Sequence, residues 1–504
     1  MCGISVTFGN AKVIASALNH RGPDGSSSKT KGNCTMNFTR LSINDVSLNG
    51  MQPFERNGCM LVCNGEIYNH RDFETGKEKS SSDCECLLSM IDTYGIHDTC
   101  NYIRGVFAFV WTDGSRVMAA RDPFGVRPLF YVKTDDGIAF ASEIKSLLST
   151  NGRIEIFPPG HFYSSGLGEF VCYHNIFWKP CITNDPEHLV RATFEEAVKR
   201  RVTNTDRAVG FLLSGGLDSS LVAAVASRLC DKPIRTFSIG QADSPDILAA
   251  KKVSAFLGTE HTEILFDFDE GVKNIPDVIK SLESYDTTTI RASTPMWMLS
   301  KWISENTDCK VLLSGEGSDE ILGGYKYFQN APSDEDFQEE TIRRLRKLHQ
   351  FDVLRADRCT AAHGLELRVP FLDRDFVEAV IQLDPSIKRT KEEKKVLRDA
   401  FSGYLPDDIL HRPKDAFSDA VGYGWVDHVK DHGNSIMPEV MYGIVLYNAS
   451  GHNTPQTGEE AWYRAQFWQH FGRENDHLLT EMWRPMWTDQ TDPCARYLKV
   501  NGDD

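Results

Sequence analysis

Ala208-Val209-Gly210-Phe211-Leu212-Leu213-Ser214-Gly215-Gly216-Leu217-Asp218-Ser219-Ser220 is the stretch whose reading decides the fold. A short apolar run meets a Ser-Gly-Gly break, and Ser220 to Leu229 then read as a helix. This pattern predicts a buried strand entering a strand–turn–helix unit. Small residues in the break expose backbone N–H groups at the helix start, where the helix dipole favours an anion. It is not a Walker motif, because the Gly-Lys-Ser/Thr ending is missing, and its glycines also miss the dinucleotide-binding spacing.

Downstream the alternation continues. A strand is expected at Arg235 to Ile239, a helix from Asp246 to Leu257, and another strand at Thr262 to Phe266. Ser244 suits the N-cap of that helix, Pro245 its first position and Gly258 its end. A helix from Leu189 to Arg201 precedes the whole series. Strand–helix–strand alternation predicts a doubly wound parallel α/β sheet. The acidic run Ser333 to Glu340 reads as a solvated surface loop.

Upstream the grammar differs. Short runs such as Arg116 to Ala120, Leu129 to Val132 and Ile138 to Phe140 are separated by Asp113-Gly114, Asp122-Pro123-Phe124-Gly125 and Asp136-Gly137. Those turn signals predict layered antiparallel sheet with a few helices, an α+β arrangement. The change falls at Thr183-Asn184-Asp185-Pro186, which gives expected domains 1–183 and 184–504.

The net charge of −16 disfavours nucleic acid or an anionic membrane as partner, since both reward a basic face. No run approaches the ~20 apolar residues of a membrane span, and Met1-Cys2-Gly3-Ile4 lacks the start of a secretory signal. Thirteen cysteines then read as reduced thiols in a cytoplasmic protein. Cys59 with Cys63, or Cys84 with Cys86, lacks the His partners of a zinc site.

Cys2 is followed by the small Gly3, and a small residue at position 2 favours removal of the initiator Met. The mature chain would then carry a thiol and a free amine on one residue. Their reference pKa values are about 8.5 and about 8, so each can pass a proton to the other near neutrality. Asn64 and Gly65, placed after a strand at Met60 to Cys63, can offer an amide and an unobstructed N–H to an oxyanion. Arg40 can grip a carboxylate with two parallel bonds, and Asp83 with Glu66 can hold an ammonium. Together they describe a pocket for a free amino acid whose side-chain amide Cys2 attacks. With Asn19 to Gly25 and Arg40 to Ile43, these residues resemble the glutaminase domain of class II glutamine amidotransferases, of the N-terminal nucleophile type. His20 reads as shaping the pocket and not as a base.

The Ser214 to Ser220 loop resembles the pyrophosphate loop of ATP pyrophosphatases, which cleave between the α and β phosphates. A second loop, Ser314-Gly315-Glu316-Gly317-Ser318-Asp319-Glu320, follows Val311-Leu312-Leu313. Carboxylates crowded beside a phosphate site repel one another unless a cation joins them, and Mg²⁺ prefers such oxygen ligands. Asp218 and Asp319 are therefore assigned to Mg²⁺. Arg412-Pro413-Lys414-Asp415-Ala416-Phe417-Ser418-Asp419 resembles the element whose lysine, here Lys414, faces the α-phosphate; Lys395 is a weaker second candidate.

The order of the two halves, with Glu283 to Met296 and Gly364 to Asp373, is similar to the asparagine synthetase family over nearly the whole chain. The resemblance implies glutamine contacts at Arg40, Leu41, Ser42, Ile43, Asn44, Asn64, Gly65, Glu66 and Asp83. It implies ATP contacts at Leu213, Ser214, Gly215, Gly216, Asp218, Ser219, Ile239, Ser314 and Gly315, and places Glu316 on the aspartyl side. The implied reaction uses L-glutamine, L-aspartate, ATP and Mg²⁺, and a homodimer is left open. The spans Cys2 to His20 and Arg71 to Ser82 are shorter than is usual in that family, and Asn44 stands where Val is common. A β-lactam-forming or peptide-tailoring relative would lack a usable N-terminal Cys, and another amidotransferase would need a different second half. A non-catalytic binding protein would have lost Cys2, Asp218 or Glu316.

Overall fold

The computed structural model describes residues 1–76, 78–179, 183–414, 421–422, 424–449 and 451–489. The motif end Asp415 to Asp419 lies outside the described residues. The first twelve strands are β1 (Gly3–Gly9), β2 (Gly25–Lys31), β3 (Cys34–Arg40), β4 (Phe54–Arg56), β5 (Cys59–Ile67), β6 (Gly105–Thr112), β7 (Val117–Arg121), β8 (Phe130–Thr134), β9 (Gly137–Ala141), β10 (Ile154–Ile156), β11 (His161–Ser164) and β12 (Glu169–Cys172). They form two six-stranded sheets, ordered β10-β8-β9-β1-β3-β2 and β12-β11-β7-β6-β5-β4, with antiparallel pairing throughout.

Period-two alternation explains the layering. On β5 and β6, Met60, Val62, Ala108 and Val110 share one core with Ile4, Val6, Phe38 and Phe140 of the facing sheet. The alternate residues Leu61, Cys63, Phe107, Phe109 and Trp111 turn the other way, onto Leu87, Leu88 and Ile91 of α1 (Cys86–Tyr102). Ala139 and Ala141 of β9 face the carboxy-terminal part, whose core they join.

That part begins with α2 (Pro186–Thr203) and a parallel sheet of β13 (Val209–Leu212), β14 (Arg235–Gly240), β15 (Glu260–Leu265), β16 (Val311–Leu313) and β17 (Glu366–Arg368). Between them come α3 (Leu217–Leu229), α4 (Pro245–Leu257), α5 (Phe268–Leu282) and α6 (Thr287–Asn306). The strand order is β15-β14-β13-β16-β17, all parallel. The chain winds outward from β13 to β15, then returns to the other side of β13 for β16 and β17. The direction reverses between β13 and β16, the crevice in which open α/β sheets bind ligands. The expected α4 signals are present: Ser244 accepts from the Ile247 N–H at 3.4 Å, Pro245 opens the helix, and Gly258 is left-handed (φ 67°).

One expectation fails. Ser333 to Glu340 is the start of a helix, which follows the short α7 (Ser318–Leu322) and is here α8 (Asp334–Lys347). Ser333 caps it by accepting from the Asp336 N–H at 3.0 Å, its first-turn acids suit the positive end, and Phe337 is buried. The acidic run was read for its charge, and its single apolar anchor was too little to reveal the helix.

Buried ion pairs join the two parts. Arg358, on α9 (Asp352–Ala361), lies 2.6 Å from Glu143 of the amino-terminal layers and 2.9 Å from Glu283. Arg21 meets Asp357 at 2.8 Å, and Arg368 meets Glu66 at 2.9 Å. Replacing the fully buried Arg358 by Met removes one of the cations around Glu143, which keeps Arg21 and Lys145, and leaves Glu283 with only Lys145 at 3.7 Å. Chemical denaturation of R358M should show a stability loss of about 3–5 kcal/mol, the range for breaking one side of a buried pair.

Candidate functional site

Cys2 precedes β1, and its thiol donates to the Leu41 carbonyl at 3.6 Å. Arg21 Nε holds the Cys2 carbonyl at 2.9 Å while its other nitrogens bind Glu143 and Asp357. With Met1 attached, burial pushes the Cys2 thiol up to about 11 and the Met1 amine down to about 5. His20 Nε2 lies 3.0 Å from Glu143.

Asn64, Gly65 and Glu66 do not follow a strand but lie within β5, paired with Ala108, Phe107 and Val106. A Cβ on Gly65 would strike the Val106 carbonyl and lie 2.7 Å from Phe107 Cα, so glycine is required there by the neighbouring strand. The Asn64 amide is buried, and neither its nitrogen nor its oxygen has a hydrogen-bond partner. A buried amide left open in this way awaits a ligand, because its desolvation is otherwise uncompensated.

Arg40 departs from expectation. Its fork donates to the carbonyls of Asp45 and Ser47, the latter at 2.5 Å, which ties it to the loop beside the pocket. Ser42 N–H donates to Asp24 at 2.8 Å, the Ile43 carbonyl accepts from the Asp206 N–H at 3.1 Å, and Asn44 donates to Glu66 at 2.7 Å. Asp83 accepts from the Ile67 N–H at 2.6 Å. Burial raises the carboxyls of both Asp83 and Glu66, and the Asp83 charge adds to the rise at Glu66. Glu66 also receives Arg368 and Asn204 from the carboxy-terminal part.

A second constellation lies at the switch point. One cavity is lined by Leu213, Ser214, Gly216, Asp218 and Ser219 after β13, Ile239 on β14, and Ser314, Gly315, Glu316 and Asp319 after β16. Lys414 reaches the same cavity. The N-cap of α3, Gly216, supplies no side-chain cap, so the first N–H groups of the helix are open to an anion. Gly215 is the exception. It is absent from the lining, is left-handed (φ 75°), and a Cβ there would collide with Ala249 and Ala250 on α4. Its service is to the turn and to packing.

The charges are paired across the loops. Lys394 Nζ lies 2.8 and 2.7 Å from the two Asp218 oxygens and 2.6 Å from Asp319 Oδ1. Lys414 Nζ is 2.7 Å from Asp319 Oδ2. Despite its near lysine, Asp319 Oδ1 is buried without a properly directed hydrogen bond. No group of three or more His, Cys, Asp or Glu among the described residues could cage a metal. Two carboxylates, Asp218 and Asp319, lining one cavity nevertheless fit Mg²⁺ by the chemistry of their oxygens, since that ion keeps waters and needs few protein ligands.

Lys395 was the wrong neighbour to single out, since it pairs with Asp399 on the surface. The buried residue is Lys394, and nothing in that charged run separates the two. Sequence reading also missed Arg355, 2.6 Å from both Glu316 and Asp352, because one arginine on an amphipathic helix carries no motif. Burial pushes the Glu316 carboxyl up to about 7, with Arg355 opposing the rise.

The asparagine synthase family model matches residues 189–337 and 329–491, and the glutamine amidotransferase domain model matches residues 1–180. The chain is 41% identical to the asparagine synthetase [glutamine-hydrolyzing] of Cricetulus griseus over 556 aligned residues, covering 99% of this chain and 98% of that protein. The Homo sapiens protein of the same name is 41% identical, with coverage of 99% and 98%. A probable asparagine synthetase [glutamine-hydrolyzing] of Acanthamoeba polyphaga mimivirus is 40% identical, with coverage of 99% and 100%. These alignments are longer than the 504-residue chain, so the relatives carry segments that it lacks.

The Glu316 environment generates a pH signature. A carboxyl raised from about 4.5 to about 7 on folding favours the folded state below pH 4.5, and that contribution is lost as pH rises through 7. Urea unfolding at pH 5.5 and 8 should show wild type losing stability relative to Glu316→Gln across this interval, by about 2 kcal/mol.

Proposed function

The chain belongs to the family of glutamine-hydrolysing asparagine synthetases, and from that premise we propose how its residues divide the reaction. The protein makes L-asparagine from L-aspartate and ATP, with ammonia taken from L-glutamine. The observation that carries this reading is the single cavity at the switch point, where both loops, Asp218, Asp319, Glu316 and Lys414 converge.

The boundary between the working halves is drawn at 183/184. In the first half, the Cys2 thiol attacks the side-chain amide carbon of glutamine, and the Cys2 amine, freed by removal of Met1, takes the thiol proton. Asn64 and the Gly65 N–H hold the oxyanion, a role supported by the unpartnered Asn64 amide. Ammonia leaves with the proton, and water then cleaves the thioester to glutamate. Asp83 holds the substrate ammonium, while Arg40 and the backbone from Leu41 to Asn44 form the wall around it.

In the second half, the aspartate β-carboxylate attacks the α-phosphorus of ATP, and pyrophosphate leaves. This makes β-aspartyl-AMP, an acyl group that ammonia can attack, with AMP departing as asparagine forms. Ser214, Gly216 and the start of α3 hold the leaving phosphates through backbone N–H groups. Leu213 and Ile239 line the apolar side, Ser219, Ser314 and Gly315 complete the loop contacts, and Lys414 offsets charge at the α-phosphate. Glu316, braced by Arg355, serves the aspartyl side. Asp218 and Asp319 would hold Mg²⁺, which when bound neutralises charge on the pyrophosphate. A cytoplasmic setting is supported by thirteen cysteines, those described all being free thiols, and no described helix is long and apolar enough to cross a membrane.

Two half-reactions on separate residues should come apart on mutation. Cys2→Ala should abolish glutamine hydrolysis yet still make asparagine from ammonium salt at a pH that leaves free NH₃. Glu316→Ala should spare much of the glutaminase and stop synthesis from either nitrogen source. Loss of ammonia-dependent synthesis in a folded Cys2→Ala protein would refute the division.

Products and the mature terminus give a second check. AMP and pyrophosphate should form in step with asparagine, whereas ADP and phosphate would exclude the acyl-adenylate. Intact mass of protein made in cells should show the loss of one Met, and a fully active enzyme retaining Met1 would contradict the proposed base.

A further inference from the structure

Lys394 is the most conspicuous residue of the phosphate site that the reaction above does not use. Its side chain is 2% exposed, and its ammonium lies between Asp218 and Asp319, 2.7 Å from Asp218 Oδ2 and 2.6 Å from Asp319 Oδ1. Its backbone is left-handed (φ 58°, ψ 29°), which is unfavourable for a residue bearing a side chain. Gly324 gives it room: a Cβ there would collide with both Lys394 Cε and Asp319 Oδ1. Strain, burial and a neighbouring glycine thus converge on placing one ammonium between two carboxylates, and such local strain gathers at functional positions.

We propose that Lys394 is the resident counter-ion of this site: it holds Asp218 and Asp319 together in the nucleotide-free protein and bars a divalent metal from entering without pyrophosphate. This rests on the reading of Asp218 and Asp319 as the metal carboxylates. The charges supply the reason. Asp218 and Asp319 are each paired with an ammonium as they stand, Lys394 between the two and Lys414 on Asp319. A lone divalent cation would enter beside both lysines with no added negative charge. A metal carried on pyrophosphate brings its own negative charge, and the phosphate oxygens offer the lysines new partners as the carboxylates turn to the metal. Metal and nucleotide would then load together. The poorly directed contact at Asp319 Oδ1 fits an oxygen held in place for another ligand.

The test is metal binding by the full-length protein, with Mn²⁺ as probe, protein-retained Mn²⁺ measured by equilibrium dialysis across a membrane that passes free Mn²⁺ and Mn²⁺–pyrophosphate, and folding followed by circular dichroism. Wild type should hold Mn²⁺ with inorganic pyrophosphate present and show little binding without it. Lys394→Asn keeps a residue tolerant of left-handed backbone but removes the ammonium. It should bind Mn²⁺ alone at least about tenfold more tightly than wild type, because the carboxylates lose their competing cation. Adding Asp218→Asn to Lys394→Asn should abolish that gain. Equal binding of Mn²⁺ alone by wild type and Lys394→Asn would overturn the proposal, as would a gain that survives Asp218→Asn. Tight binding of Mn²⁺ alone by wild type at a site lost in Asp319→Asn would overturn it without any change at Lys394. If neither protein holds Mn²⁺ even with pyrophosphate, the metal assignment itself fails and the proposal falls with it.

Discussion

Buried charge across the seam between the antiparallel layers and the parallel sheet is the constraint on which the rest of the molecule depends. Arg21, Arg358 and Arg368 have almost no exposed surface, and each bonds a carboxylate on the opposite side of the seam. Burying such groups is unfavourable unless every one finds a partner, so the pairing tolerates little sliding or tilting. An apolar seam could shift by a fraction of a residue at small cost. This one fixes register, and it does so next to both constellations. Arg21 holds the Cys2 carbonyl, Arg368 holds Glu66, and Arg358 meets Glu283 just ahead of α6.

Much of the fold was legible because local signals agreed with one another. The Leu212 to Ser220 break, the caps at Ser244 and Gly258, and the turn dipeptides of the first half each pointed to the element observed. Strand ends were less visible. Asn64 looked like the residue after a strand because its polar side chain interrupts an apolar run, yet the ladder continues to Ile67 and takes Asn64 with it. The polarity was real, but its cause was the pocket and not the end of the sheet.

Residues brought in from distant sequence were out of reach. Lys394 and Lys395 have the same chemistry and adjacent positions, and only the left-handed turn at Lys394 sends one inward and leaves the other on the surface. Arg355 reaches Glu316 from a helix that presents no motif. Arg40 was recognised as important, but its hydrogen bonds go to backbone carbonyls of its own loop. Charged residues are the hardest to place from sequence, since solvent, an ion pair and a ligand satisfy them equally well.

The two constellations solve opposite problems with the same physics. Around Cys2 the awkward group is a neutral amide, and Asn64 can remain buried and unpaired at a cost of about 1–3 kcal/mol. Around the phosphate loop the awkward groups are carboxylates, for which isolation in a buried site is far more unfavourable. They are accordingly matched by lysines. An open amide leaves that pocket a donor and an acceptor for an incoming polar group without rearrangement. A charge-paired cluster, by contrast, must exchange partners on the proposed reading as phosphates settle. On the proposed division of the reaction, the difference follows from the charge each site receives, a developing oxyanion in one case and a complete polyanion in the other.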